Sequence, residues 1–360
     1  MKKIIGQPHL LKAMNGDQIE QLIFERGPIS KPELARISGL SLPTVNKLVG
    51  ALESEGKVKS VGLMGTGAGR KANVYVANKQ SGSYIVVYFK HNEFICCVTD
   101  ILGGIIYECN HSCDNSSVNS TSDYLIDIIK NLMNYATGDI KAIGIGVPGV
   151  VNENNLITSI PSIPQFEGIN LKEIIEKEFD IPVFVENDVK LTTVGYYHQN
   201  LKGKYKDVVY IFIGTGLGSG IIINGKLHKG FTSFAGELGY MVVEDFPDDM
   251  DYVSGGGVLE SKIRAMRKIN SDDEKTFKLI SSAIINIICT VNPQVIVIGG
   301  DLVTSNITED VKNYVKKIIP IDDVPLFIYD SCVSSGVDGA INMCISNISS
   351  NFKLINTKSI

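Results

Sequence analysis

Apolar positions in the first stretch of the chain recur at helical spacing. Ile19, Leu22 and Ile23 fall at i, i+3 and i+4, and Gly27 and Pro28 end that helix. Ser30 and Glu33 form an S-x-x-E box that opens a second, short helix with Leu34 and Ile37 inward. Gly39 provides a turn. Ser41 caps a third helix, whose inner face is Val45, Leu48, Val49 and Leu52, and Gly56 stops it. Two strand-like runs follow, Val58–Leu63 and Ala72–Val76, around the loop MGTGAGRK. Three short helices with a glycine turn between the second and third predict a winged helix-turn-helix over residues 1–78.

In such a module the N-terminal residues of the third helix reach base edges. Here these are Ser41, Pro43, Thr44, Asn46 and Lys47. Asparagine can pair with adenine, and lysine can reach guanine or phosphate. Arg70 and Lys71 tip a glycine-rich wing suited to the phosphate backbone or the minor groove. A helical hairpin with a solvated basic face, used for protein contacts, is the competing reading. The order of helices, cap, turn and basic wing favours DNA.

Farther on, apolar runs of strand length recur at Tyr84–Phe89, Phe94–Val98, Ile105–Tyr107, Ala142–Val147, Val183–Val185, Val208–Ile213, Gly220–Ile223, Val295–Ile298 and Leu326–Tyr329. Helical patterns at Asp123–Tyr135, Leu171–Phe179 and Ser281–Val291 separate several of them. A strand-strand-strand-helix pattern starts near residue 84 and again near 208, which predicts two similar α/β lobes with a ligand cleft between them.

Charge sharpens this division. Residues 1–75 hold 11 basic and 6 acidic residues, and the remainder holds 23 basic and 33 acidic, so a basic head precedes an acidic body. Hydrophobic residues make up 44% of the 360, which excludes a disordered or collagen-like chain. No apolar run is long enough to span a membrane, and the start has no sustained apolar segment, so the expected location is the cytoplasm. The seven cysteines read as buried reduced thiols, and Cys109 and Cys113 lack the second ligand pair of a zinc finger.

Two segments carry candidate chemistry. In IFIGTGLGSGIIING, Gly214, Gly216, Gly218 and Gly220 alternate at a strand-to-strand turn. This is neither the dinucleotide fingerprint nor a P-loop. Alternating glycines can present backbone N–H groups to an anion, or they can simply supply positive φ in a tight turn. In VENDVK, Glu186, Asn187 and Asp188 sit at a strand end, where an aspartate could accept a proton from a sugar hydroxyl. A polar helix cap would select the same residues.

Taken in order, the winged helix, VENDVK, IGTGLGSGIIING, AGELGY and NPQVIVIGGDLV resemble the ROK family of repressors, open reading frames and sugar kinases over roughly residues 15–345. The resemblance implies a two-lobe actin-like, ribonuclease-H-like ATPase fold. It implies lobes at residues 79–195 and 196–334, with a C-terminal helix near 335–350 packing back on the first lobe. The longer members, with an N-terminal winged helix, resemble N-acetylglucosamine and xylose repressors. Carried over residue by residue, Asp188 falls on the catalytic base and Asn187 on its sugar-hydroxyl partner. Glu237 and Glu260 fall on sugar-binding glutamates. Gly214, Thr215, Gly216 and Gly218 fall on the second phosphate loop, and Gly299 and Gly300 fall near the adenosine region.

The departures from the family pattern bear on activity. Tyr88 stands where the first phosphate loop has its aspartate, and Lys90 where it has its first glycine. Magnesium would lose a carboxylate and the phosphates a close backbone approach, which argues against ATP chemistry. Tyr240 replaces the histidine after G-E-x-G, and DYVSGGGVLE holds no cysteine, so no structural zinc is expected. Tyr240 is retained as a sugar-site residue. Ser162 and Lys190 stand where relatives often have asparagine.

The expected function is a sugar-responsive repressor, a homodimer or homotetramer, with operator DNA and a sugar or sugar phosphate as partners and without metal or nucleotide. An ATP-dependent sugar kinase is the alternative. A third reading has a body that only dimerises.

Overall fold

The computed structural model describes residues 8–66, 70–90, 93–112, 118–160, 163–214, 216–245, 256–269, 273–331 and 335–357. The chain begins with α1 (Pro8–Arg26), β1 (Ile29–Ser30), α2 (Lys31–Ser38), α3 (Leu42–Ser54), β2 (Val58–Thr66) and β3 (Arg70–Ala77). Ile19 and Ile23 of α1, Leu34 of α2 and the apolar face of α3 meet in one core, closed by Val58 and Tyr75 of the wing. The Ser30 hydroxyl accepts the Glu33 amide at 3.4 Å, and the Ser41 hydroxyl accepts that of Thr44 at 3.4 Å. Gly39 has φ 73°, and its N–H donates to Ala35 O, ending α2.

The wing strands run farther than their apolar residues suggest. Gly65 pairs with Lys71 and Thr66 with Arg70, because ladder hydrogen bonds do not require apolar side chains. The tip, with Gly67 and Gly69, lies outside the described residues.

The body continues with β4 (Gly82–Lys90), β5 (Glu93–Asp100), β6 (Ile105–Ser112), α4 (Val118–Met133), β7 (Asp139–Val147), β8 (Val150–Val151), β9 (Ile157–Thr158), α5 (Leu171–Phe179), β10 (Val183–Asn187) and α6 (Asp188–Tyr196). It ends with β11 (Val208–Ile213), β12 (Leu217–Ile223), β13 (Lys226–Leu227), α7 (Val258–Ile269), α8 (Asp273–Val291), β14 (Val295–Gly299), α9 (Ser305–Val315), β15 (Leu326–Asp330) and α10 (Ser335–Thr357). Two five-stranded sheets result, ordered β10-β7-β4-β5-β6 and β13-β12-β11-β14-β15. In each, three successive strands pair antiparallel, a fourth joins the first in parallel, and a fifth extends the parallel side. The repeated pattern in the sequence is therefore a repeated topology.

Several boundaries move. The pattern at Ser281–Val291 is the second half of α8, α4 begins before Asp123, and α10 runs past residue 350. Helices α7 and α9 have no counterpart among the patterns read from the sequence. Of the cysteines, Cys96, Cys97 and Cys344 are buried, Cys109 is half-buried and Cys289 is exposed, which corrects the expectation of buried thiols at Cys289. Cys113 and Cys332 lie outside the described residues.

Helices α6 and α10 lie between the sheets. Leu191 of α6 packs with Val86, Tyr88 and Cys97 of the first sheet and with Ala340 and Ile341 of α10. The continuation of α6, at Tyr197 and Leu201, packs with Val208, Tyr210 and Val295 of the second sheet. Backbone contact between α6 and α10 depends on two glycines. A methyl group at Gly195 would overlap the Ser335 carbonyl oxygen, and one at Gly339 would overlap that of Leu191.

Overpacking of this kind costs about 1–3 kcal/mol or more. Gly339→Ala is expected to lower the unfolding midpoint clearly. Gly50→Ala, where an added methyl meets nothing within 4 Å on α3, is expected to leave it unchanged or raise it. Equal midpoints for the two variants would contradict the close-contact account.

Candidate functional site

Strand β10 delivers the chain out of the first sheet, and Asn187 turns it into α6. The Asn187 Oδ1 accepts the Lys190 amide at 3.0 Å, and its Nδ2 donates to Gly149 O and to Asp188 Oδ1, each at 3.1 Å. Both amide hydrogens are committed, so Asn187 acts as a helix cap. Only its remaining acceptor capacity could meet a sugar hydroxyl.

Asp188 opens the first turn of α6. Its Oδ1 also accepts the Val189 amide at 2.8 Å. Burial, reinforced by the charge of Glu237, pushes its carboxyl up to about 7 despite these hydrogen bonds and the nearby Lys190. An aspartate poised near neutrality can hold or release a proton at physiological pH.

Two residues on, the Lys190 side chain is fully buried. Its ammonium donates to Ser233 O and lies 3.2 Å from Glu237 Oε1. The Lys229 ammonium pairs in turn with the buried Glu186 carboxylate. The two lysines thus cross: one reaches from α6 to the loop after β13, and the other reaches back to β10. Burial raises the Glu237 carboxyl above its ordinary value, and Lys190 opposes the shift.

Tyr240 sits in a one-turn 3-10 helix at residues 238–240, and its hydroxyl meets Ser159 Oγ at 3.0 Å. Its ring meets Phe234 edge-on, 5.0 Å between centroids. Glu260, in the first turn of α7, accepts the Leu217 amide at 3.0 Å and pairs with Arg264. These groups converge on a cleft of about 460 Å³, lined by Asp188, Glu237, Tyr240, Glu260, Gly216 and Gly218. Thr215 and Ser162 lie outside the described residues, as do residues 251–255 of the stretch expected to lack zinc ligands.

Two glycines of the run have a packing role that the sequence reading did not assign. Gly218 lies within β12, and a methyl there would press on Val189; one at Gly220 would overlap Thr193. Alternate residues of a strand share a face, and this face lies against α6. Neither glycine has positive φ. Gly218 is therefore explained by packing as well as by its place on the cleft. Gly214 abuts the Phe212 ring, and a methyl on it would lie 3.5 Å from Asp301 Oδ2.

Tyr88 also has a defined place. Its ring fills the space left by Gly146 and Gly336, and its hydroxyl lies 3.2 Å from Thr192 Oγ1 and 3.5 Å from Asp188 O. Burial pushes its phenol well above the ordinary value.

Sequence reasoning assigned no role to Lys190, Ser159, Lys229 or Asp301. The first three act through contacts far apart in sequence, and no local spacing signals them. In the winged helix-turn-helix, Ser41, Pro43, Asn46, Lys47 and Lys71 are exposed, and Leu42 is 43% exposed beside them. Thr44 is half-buried, and its hydroxyl is 2.8 Å from that of Ser41. Strand β3 begins at Arg70.

A model of the ROK family matches residues 91–256, and a model of winged helix-turn-helix DNA-binding modules matches residues 21–59. The chain carries a ROK family domain behind a winged helix-turn-helix. It is 30% identical over 243 residues to the xylose repressor of Bacillus spizizenii. That alignment covers 67% of this chain and spans 63% of the length of that relative. A crystal structure of a ROK family transcriptional regulator, described as a homologue of the Escherichia coli MLC protein, superposes with TM-score 0.70 at 17% identity. It covers 96% of this chain and 100% of that one. The ROK hexokinase of Thermus thermophilus superposes with TM-score 0.59 at 17% identity, covering 76% of this chain and 99% of that one. Regulators and kinases thus share this actin-like two-lobe fold, and the fold alone does not separate them.

The raised Asp188 makes a stability prediction. Between its ordinary value of 3.8 and about 7 the folded chain holds a proton that the unfolded chain has released. Stability therefore falls as pH rises through that window. Asp188→Asn removes this loss, so its unfolding midpoint relative to the native chain should be several degrees higher at pH 8 than at pH 4.5. The same midpoint difference at both pH values would show that Asp188 is not raised.

Proposed function

We propose that the chain is a sugar-responsive transcriptional repressor of carbohydrate uptake or catabolism genes. It acts in the cytoplasm as a homodimer or homotetramer. The observation that carries this reading is the presence in one chain of an exposed recognition helix and a carboxylate-lined interlobe cleft. The name of the Bacillus spizizenii relative supports it. Among the described residues no helix is long and apolar enough to cross a membrane.

The cleft favours a neutral sugar over its phosphate ester. Asp188, Glu237, Glu260 and Asp301 line it against Lys90 and Arg264, and Arg264 already pairs with Glu260. A phosphate dianion there would add repulsion where Asp188 and Glu237 are already driven toward protonation. A polyol suits such a site, because its hydroxyls donate to carboxylates. Metal and nucleotide have no part in this reading. The sugar acts as effector by binding better to one arrangement of the lobes than to the other, and only that difference can shift DNA affinity.

A sugar kinase remains the second reading, favoured by one observation: Asp188, near neutrality and facing the cleft, is suited to be a general base. Tyr88 opposes it, since a phenol rather than a carboxylate stands at that position of β4, filling the space left by Gly146 and Gly336.

Lys47 on α3 and Lys71 on the wing are expected to contact phosphates. Fluorescence anisotropy on a mixed-sequence duplex should show that Lys47→Ala and Lys71→Ala each weaken binding. Each should also reduce the slope of log affinity against log salt by about 1. An unchanged slope in both would remove this surface from the DNA interface.

A further inference from the structure

Strands β5 and β6 bring together a cluster that the sugar and DNA readings leave unused. Cys96 and Cys109 are direct partners in the antiparallel register. Directly opposed residues in such a pair have Cα atoms about 4.5–5.5 Å apart, inside the roughly 4.4–6.8 Å window of a disulfide. Both side chains lie beneath α4: Cys96 belongs to the core of the first lobe, its thiol donating to Phe94 O at 3.8 Å, and Cys109 packs against that core. Cys97 faces the other way, toward Val86, Leu191 and α10. His111, two residues along β6 and so on the same face as Cys109, places Nε2 3.4 Å from Cys109 Sγ. Strand β6 is the edge of its sheet, and Cys109 is half-buried while Cys96 is fully buried. Among the described residues no group of three His, Cys, Asp or Glu side chains could hold a metal ion, so a metal centre does not account for the trio.

We propose that Cys96 and Cys109 are a peroxide-reactive pair that closes to an intramolecular disulfide, with Cys109 as the attacking thiol, Cys96 as the resolving thiol and His111 as proton acceptor. His111 takes the Cys109 proton. The thiolate attacks one oxygen of a hydroperoxide and the O–O bond breaks. The departing oxygen leaves as water or alcohol after taking up a proton, and Cys109 becomes a sulfenic acid. The Cys96 sulfur then attacks the sulfenic sulfur and the S–O bond breaks, so the hydroxyl leaves as water with the Cys96 proton. Two thiols lose two electrons, and the peroxide gains them. Burial of Cys96 keeps it from meeting the oxidant first. Its thiol is held well above the ordinary value by that burial, which suits it to wait as a thiol. The bond staples the edge strand to its neighbour.

The test treats the full chain with hydrogen peroxide, alkylates the remaining thiols and maps peptides after cleavage at Asp100, which lies between the two cysteines. The expected result is loss of two hydrogens and a cross-link joining the peptides of Cys96 and Cys109. Cys109→Ser should abolish the cross-link, and Cys96→Ala should leave a sulfenic acid on Cys109 that dimedone traps. His111→Asn should slow the reaction at least about tenfold. Retained free thiols in the treated native chain would overturn the proposal. So would a bond from Cys109 to Cys97, to Cys113 or to a second chain.

Discussion

The backbone contact between α6 and α10 is the constraint on which the rest of the body depends. Gly195 and Gly339 let the two helices touch where any side chain would collide with a carbonyl oxygen. Gly220 lets β12 close on Thr193 of the same helix from the second sheet, and Gly146 and Gly336 make room for the Tyr88 ring from the first. The result is one helix held on three sides, with its N-terminus at the cleft. Asp188 and Lys190 are placed by that packing. A shift of α6 would move both charges together.

The charges are the costly part of this arrangement. A fully buried ammonium is strongly unfavourable unless it is paired and hydrogen-bonded, and Lys190 has both a carboxylate and a carbonyl as partners. Replacing such a pair by apolar groups often gains stability, so stability alone does not explain it. The pair does fix the Glu237 carboxylate and the loop that carries it against α6. Lys229 and Glu186 repeat the connection in the opposite direction. A loop held at both ends by charge presents Glu237 and Tyr240 to the cleft in one geometry, as selective binding requires.

Much of this was legible in the chain because it is local. The α3 face at Val45, Leu48, Val49 and Leu52 is one helical stripe, and all four residues are buried. The two lobes showed as a repeated order of strands, and the structure repeats that order strand for strand. Asp188 and Asn187 were singled out because a strand end followed by a polar turn marks a ligand edge in α/β folds, and both line the cleft. What stayed hidden is non-local. Gly218 and Gly220 looked like turn or anion-loop residues because their neighbour, α6, is distant in sequence. For Asn187 the helix cap was one of two readings, and its bond to Gly149 O, 38 residues away, could not be read from the motif. Lys190 looked like a missing asparagine because Ser233 and Glu237, which neutralise and fix it, lie more than 40 residues away.

The measurement closest to the central claim is a thermal-shift comparison of the native chain and Asp188→Asn across free sugars, their phosphate esters and ATP·Mg²⁺. A ligand at about 100 times its dissociation constant adds roughly 2.7 kcal/mol of stability, which is easily read as a midpoint change. The account predicts a rise with one class of unphosphorylated sugar in the native chain, its loss in Asp188→Asn, and no change with ATP·Mg²⁺. A rise with ATP·Mg²⁺, accompanied by sugar-dependent release of ADP, would contradict it and show that the cleft transfers phosphate.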